Sequence, residues 1–356
     1  MNKKVVFVMP RLGGKGWGGA HRVSVMLSNY LANSGYDTTI IVRENSSIDY
    51  PVDSKIRIIC LDAKDNSASE RLKCCFSIRN ILKNYKDAYV IVFISRIAVE
   101  TYLSCLFLRV KIIGSERTDP RNEPKRAAFR FLRGLIFGYM YKTVYQTPEA
   151  MKYFPKKAQK NGKIIPNPIS PNLPERFSGI RKKEIVTFCR IDKQKNLPLL
   201  IDSFIEVHEK VPDYILRIYG EGIIEDEIKA YILDKNADTF IFMEPFSNEI
   251  HEKVVDCTAY VSSSNYEGLS NSMLEAMAIG LPSICTDCPI GGARMVISNN
   301  ENGVLVPVND KDSMVSAILK LIQDPVFADK LSRNAVKIRD ELCIDKICRE
   351  WEMLLQ

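Results

Sequence analysis

The chain alternates short runs of β-branched and aliphatic residues with longer stretches in which apolar positions recur at helical spacing. In the first half the short runs predict strands at residues 5–9, 38–42, 56–61, 89–94, 110–113 and 143–146. The longer stretches predict helices at 20–34, 69–85, 98–108, 124–141 and 148–157. Strand and helix in alternation predict a parallel sheet covered on both faces. The second half repeats the pattern, with strands expected at 185–189, 214–219, 240–242, 260–263, 282–285 and 304–306. Between the halves lies Ile165-Pro166-Asn167-Pro168-Ile169-Ser170-Pro171-Asn172-Leu173-Pro174, whose prolines suit neither a helix nor a central strand. The expected fold class is α/β, with two doubly wound parallel-sheet domains at 1–170 and 171–335. A last helical segment, 336–356, offers Trp351 and Leu354 for packing back on the first domain.

Composition agrees with this division. At 356 residues the chain exceeds one ordinary core, and 46% hydrophobic with 26% charged residues is a globular balance. No apolar run reaches the roughly 18 residues of a membrane-spanning helix. The opening residues turn polar and glycine-rich too soon for a signal peptide, which predicts a cytoplasmic location. Cys285-Thr286-Asp287-Cys288 has the spacing of a redox or metal pair but no second pair beside it, and it reads as structural. Residues 1–170 carry 29 Lys and Arg against 13 Asp and Glu, while 171–356 carry 21 against 30, so the first half is expected to face an anionic partner. Within helix 124–141, Phe129, Leu132, Ile136 and Met140 form a stripe that would pack on the sheet. The cations Lys125, Arg126, Arg130 and Arg133 and the extra aromatic residues there also suit an anionic membrane surface.

Candidate chemistry concentrates between Tyr266 and Pro282, which reads as a strand end, a polar loop and a short helix with a Gly-Pro stop. Backbone N–H groups at a helix N-terminus suit a phosphate. Glu267 and Glu275 flank them, and carboxylates grip hydroxyl groups as paired acceptors. Phosphate and hydroxyls together describe a sugar nucleotide. Glu275 has an equally weighted structural reading, because Ser272 and Glu275 also fit a capping box. After strand 185–189, Arg190 and Lys195 lie in a loop at the same sheet edge. Two fixed cations there would stabilise the charge that builds on a departing nucleoside diphosphate without a metal.

Other motifs weigh less. Asp310-Lys311-Asp312 has metal-ligand spacing but opens a helix and reads as a cap. Gly220-Glu221-Gly222 reads as a tight turn with no chemistry. Five glycines between Gly13 and Gly19 let the backbone approach a ligand, yet the next strand ends in Val42-Arg43 with Glu44 just beyond, so a dinucleotide oxidoreductase is a minority option.

Together these pieces resemble family 4 of the retaining glycosyltransferases, which have the GT-B fold of two Rossmann-like domains facing a central cleft. The resemblance rests on Gly18-Gly19-Ala20-His21-Arg22-Val23, Ile164-Ile165-Pro166-Asn167-Pro168-Ile169, Arg190 to Lys195, and Glu267 to Glu275 at Glu-x7-Glu spacing. It implies that Arg190 and Lys195 hold the donor diphosphate, Glu275 binds ribose hydroxyls and Glu267 contacts the transferred sugar. The amides of Gly268, Leu269, Ser270 and Asn271 would lie along sugar and phosphates, and Gly18 and Gly19 would close the site from the first domain. Where many members carry a His, this chain reads Gly114-Ser115-Glu116-Arg117-Thr118-Asp119-Pro120, similar to a variant among transferases that build bacterial surface polysaccharides. Arg117 and Asp119 become acceptor-side candidates, unless Asp119-Pro120 only begins the next helix.

The function so implied is retaining transfer of a hexose or N-acetylhexosamine from a UDP-sugar to a polyprenyl-diphosphate-linked glycan in O-antigen, capsule or exopolysaccharide assembly. The enzyme would work at the inner face of the cell membrane, through its basic first domain, with no metal, other cofactor or nucleic acid. A nucleotide-sugar epimerase of the same architecture and a non-catalytic sugar-nucleotide-binding protein at the membrane are the alternatives.

Overall fold

The computed structural model describes residues 3–13, 19–63 and 67–356, and its chain divides into two units. Unit 1 runs to Pro168 and takes back Ile344–Gln356, while unit 2 is Ile169–Cys343. The division thus falls inside the proline-rich connector. The helical stretch up to Cys343, which the sequence reading gave to the last segment from 336 onward, belongs to unit 2.

Unit 1 is built on β1 (Lys4–Met9), β2 (Asp37–Val42), β3 (Arg57–Cys60), β4 (Tyr89–Val92), β5 (Lys111–Glu116), β6 (Lys142–Tyr145) and β7 (Gly162–Ile164). All pair in parallel in the order β3-β2-β1-β4-β5-β6-β7. The central strands are buried on both faces, which is why Val5 to Val8 and Val90 to Val92 are uninterrupted apolar runs. Strand β7 was not expected: Gly162-Lys163-Ile164 is too short and polar to show a period, and backbone pairing to β6 alone defines it.

Unit 2 contains β8 (Lys182–Phe188), β9 (Ile215–Tyr219), β10 (Ile241–Glu244), β11 (Cys257–Ser262), β12 (Ser283–Thr286) and β13 (Val304–Val306). These are parallel in the order β10-β9-β8-β11-β12-β13. In each sheet the order reverses beside the unit's first strand, at β1/β4 and at β8/β11. Successive connections leave such a point to opposite sides, so the carboxyl ends of the two strands frame a crevice.

The closing helix Ile344–Met353 lies in unit 1. Its Trp351 is fully buried and stacks on Phe93 at 5.0 Å between ring centroids, and the Tyr36 hydroxyl donates to Glu352 at 3.1 Å.

The basic helix differs from its expected form. It spans Ala127–Phe137, and the face it buries is Arg133, Gly134, Ile136 and Phe137. Leu132 is exposed, and Arg133, expected among the surface cations, is fully buried against Glu116. The reason for the buried arginine is electrostatic: Glu116 ends β5 inside the unit, and a buried carboxylate demands a cation, while Ile136 and Met140 of the expected stripe are buried and Phe129 is partly buried. Arg133 Nη1 donates to Glu116 Oε2 at 2.7 Å and to the Glu123 carbonyl at 2.7 Å, and Nη2 donates to the Pro120 carbonyl at 2.8 Å. Arg130 is likewise turned to the backbone, donating to the carbonyls of Pro124 and Lys125. Phe131, Leu132, Leu135 and Tyr139 stand exposed. Leu72 and Phe76 of the helix Ala68–Leu82 and Leu103, Leu106 and Phe107 at the end of the helix Ser95–Ser104 are exposed as well. Among the described residues no helix is long and apolar enough to cross a membrane.

Candidate active site

The loops after β8 and β11 leave neighbouring strands at the switch point of unit 2. Arg190 opens the first, and the Gly220-Glu221-Gly222 turn, to which the sequence assigned no chemistry, supports it. Ile191 N donates to the Glu221 carbonyl at 2.9 Å, and Cys189 N to the Tyr219 carbonyl at 3.0 Å. A Cβ at Gly220 would lie 1.9 Å from Cys189 O and one at Gly222 2.0 Å from Ile191 O, so only glycine lets the two backbones meet. Asp192 accepts from Gln194 N at 3.0 Å and caps a single 3-10 turn, Lys193–Lys195. Asn196, left-handed at φ +47°, then turns the chain into the helix Leu197–Lys210.

The second loop is laced to the first. Ser263 Oγ donates to the Lys195 carbonyl at 2.8 Å, and Asn265 N to the Gln194 carbonyl at 2.8 Å. Gln194 Nε2 donates to Tyr266 O and to Glu267 Oε2, both at 2.9 Å, while its Oε1 accepts from Arg190 Nη2 at 3.4 Å. Lys195 Nζ forms an ion pair with Glu267 Oε1, which also accepts from Ser264 Oγ at 2.9 Å. Burial opposes the charge on Lys195, but the Glu267 carboxylate together with Cys189 and Asp192 outweighs it and the lysine pKa is raised above its ordinary value. Arg190 remains exposed and holds Asp192 at 2.5 Å. Arg190, Lys195 and Glu267 thus belong to one hydrogen-bonded network, with Gln194, which the sequence did not single out, at its centre.

A third loop, after β12, closes on Glu267 from the other side. Glu267 N donates to Pro289 O at 2.8 Å and Ile290 N to Glu267 O at 3.2 Å. A Cβ at Gly292 would lie 1.8 Å from Gly268 O. The Gly291-Gly292 pair after a strand was the signal for this loop, and it went unused.

Gly268, Leu269, Ser270 and Asn271 lead from Glu267 into the helix Asn271–Ala278. Its cap is Ser270, whose Oγ accepts from Met273 N at 3.4 Å, so the capping box suggested by Ser272 and Glu275 does not form. Glu275 is buried, and its Oε2 meets His251 Nε2 at 2.9 Å. His251 is one of three histidines in the chain and escaped the sequence reading because no motif marks it.

In unit 1, Gly18 lies outside the described residues and Gly19 opens the helix Gly19–Asn33. Asp119 is buried and commits both oxygens to its own turn, accepting from Arg121 N at 2.9 Å and Asn122 Nδ2 at 2.7 Å. It does not begin a helix, since the next starts at Ala127. Arg117 Nη1 donates to Asn167 Oδ1 at 2.8 Å, and the guanidinium lies over Phe93 and Trp351. Its Nε and Nη2 have no hydrogen-bond partner among the described residues, and burial pushes its pKa down to about 9 against the pull of Glu116. Elsewhere Asp310 accepts from Ser313 N at 2.9 Å as the helix cap expected of it. Burial pushes the Cys288 thiol up to about 12 and the Cys285 thiol higher, so both stay protonated and inert. No group of His, Cys, Asp or Glu able to hold a metal ion occurs among the described residues.

Residues 175–338 match the family described as Glycosyl transferases group 1. The chain is 26% identical to an uncharacterised glycosyltransferase of Haemophilus influenzae over 99% of this chain and 100% of that one. It is also 26% identical to the amylovoran biosynthesis glycosyltransferase AmsD of Erwinia amylovora, over 95% of this chain and 96% of that one. Its fold is similar to that of Anabaena HepE in complex with UDP and glucose, with a TM-score of 0.83 at 14% identity over 99% of both chains. The family match falls within unit 2, and the fold, two Rossmann-like units, is that of the GT-B architecture.

Proposed function

We propose that the chain is a retaining glycosyltransferase that moves a hexose or N-acetylhexosamine from a UDP-sugar to a lipid-linked glycan during assembly of a surface polysaccharide such as O-antigen, capsule or exopolysaccharide. The observation that carries this reading is the Lys195–Glu267 pair, with Arg190 tied in through Gln194, at the carboxyl ends of adjacent strands. As the bond between the sugar C1 and the diphosphate breaks, negative charge grows on the leaving oxygen, and Lys195 and Arg190 are the groups to receive it. The acceptor hydroxyl forms its bond to C1 on the face the diphosphate leaves and gives its proton to the departing phosphate, so no separate base is needed. Lys195 then shares its charge with the phosphate, and Glu267 turns to the sugar hydroxyls. The two cations take the part a divalent ion plays in other transferases, which makes the reaction metal-independent.

The UDP bound by Anabaena HepE supports a UDP donor, and the amylovoran relative supports a polysaccharide product. Arg117, half-buried and with N–H groups that find no partner among the described residues, is the acceptor-side residue, and Asp119 shapes its loop. The exposed apolar residues of unit 1, beside the exposed cations Lys125, Arg126, Lys152, Lys156 and Lys160, support attachment to the anionic inner face of a membrane where a lipid-linked acceptor resides. The direct test is UDP release across a panel of nucleotide sugars with and without lipid-linked acceptors. Acceptor-dependent release that Lys195→Ala and Glu275→Ala abolish is the expected result; variants that transfer as fast as the parent would overturn the site.

A further inference from the structure

His251 and Glu275 approach β11 from its two ends. His251 lies on Ile250–Val254, the short helix that leads into the strand, and Glu275 on Asn271–Ala278, the helix that follows it. Only 14% and 8% of the two side chains are exposed. A carboxylate only accepts, so the 2.9 Å contact places the imidazole proton on Nε2. The ring is held edge-on to Phe188 at 5.9 Å, and Phe188 leans on Tyr260 at 4.9 Å, so aromatic packing fixes the imidazole before it meets the acid. The last torsion of a glutamate is broad, and a carboxylate that must meet two neighbouring hydroxyls needs one orientation.

We propose that His251 is a positioning residue of the donor site, locking the Glu275 carboxylate in the orientation that receives the ribose hydroxyls of a nucleoside diphosphate. This rests on reading Glu275 as the ribose ligand. His251 itself touches neither the sugar nor the phosphates. Its contribution is preorganisation: without it, Glu275 loses one of the contacts that order it before binding, at the expense of affinity.

Calorimetric titration with UDP and with 2′,3′-dideoxy-UDP, which lacks the hydroxyls, separates the possibilities. His251→Phe keeps the packing on Phe188 but removes the donor, whereas His251→Gln keeps an N–H at the same reach. The inference expects His251→Phe to weaken UDP about tenfold while leaving dideoxy-UDP nearly unchanged, and His251→Gln to bind UDP almost as the parent does. UDP binding unaltered in His251→Phe, equal losses for both nucleotides, or a His251→Gln protein as weak as His251→Phe would each overturn it. Glu275→Gln tests the underlying reading separately. If that variant still prefers UDP over dideoxy-UDP as strongly as the parent, the ribose assignment fails and His251 loses its role with it. If Glu275→Gln loses the preference and His251→Phe keeps it, only the positioning role falls.

Discussion

Lys195 and Glu267 form an ion pair across 72 positions of sequence, with only 14% and 13% of their side chains exposed. Two charges held this far from water stabilise little as a pair, but either one alone is costly. Lys195→Met is therefore expected to lower the unfolding free energy by roughly 3 kcal/mol, and adding Glu267→Gln to return part of that loss. A double-mutant cycle in urea reads the coupling, and additive losses would show that the two groups do not sense each other. Transfer activity is expected to fall in both single variants regardless.

The same pair gives a pH dependence. Burial lowers the Lys195 pKa, but Glu267 together with Cys189 and Asp192 outweighs it, so the pKa is raised above 10.5 in the folded chain. A group whose folded pKa exceeds its unfolded one stabilises fully below the unfolded value and loses that contribution as pH rises through the folded value. The stability gap between the parent and Lys195→Met is accordingly expected to stay level up to about pH 10 and to narrow above it. Denaturation series across that range check the sign.

Gly292 meets Gly268 where a methyl group would come 1.8 Å from the carbonyl oxygen. Gly292→Ala has to push the Gly268 backbone aside, and with it the loop from Glu267 to Asn271. The KM for the nucleotide sugar is expected to rise about tenfold or more, since small displacements of positioning groups are costly. An unchanged KM would mean that the Gly268 backbone takes no part in donor binding.

Arg133 separates structure from surface. Because it neutralises Glu116 in the interior, Arg133→Ala is expected to destabilise the protein by about 3–5 kcal/mol. Neutralising Lys125 and Arg126, both exposed, is expected to leave stability within about 0.5 kcal/mol. Comparing urea midpoints of these variants decides the point.

Membrane attachment is read through two kinds of residue. Phe107 is 99% exposed and Phe131 70%, which suits insertion, while Lys125 and Arg126 suit attraction to anionic headgroups. Replacing Phe107, Phe131 and Leu135 by Ser is expected to abolish the salt-resistant part of sedimentation with anionic vesicles. Replacing Lys125 and Arg126 by Gln is expected to lower binding at low salt only. Vesicle binding indifferent to both sets would remove this face from consideration.

The run of strands and helices was legible because each depends on a local period of apolar residues, and every expected strand recurs within a few positions of its predicted bounds. The loops bearing Arg190, Lys195, Glu267 and Glu275 were legible because their glycines, cations and acids lie close together in sequence. In helix 124–141 the burial of Ile136 and Met140 was legible, but that of Arg133 was not, because periodicity counts apolar positions and does not register a buried acid on another strand. Glu116 claims Arg133, which is buried with Ile136 and Phe137 on the inner face of the helix. Ser270 rather than Ser272 caps its helix because the helix begins at Asn271 and leaves Ser270 extended, its hydroxyl within reach of Met273 N, which no spacing rule specifies.

By itself, then, the sequence determined two parallel sheets, their connector and the chemical character of the loops at one sheet edge. The meetings were decided by tertiary structure alone. The order of unit 2 reverses between β8 and β11, and this adjacency brings Lys195 against Glu267, while the helices flanking β11 bring His251 to Glu275. Hydrophobic patterning specifies which face of an element is covered, but which elements become neighbours follows from how the crossovers pack.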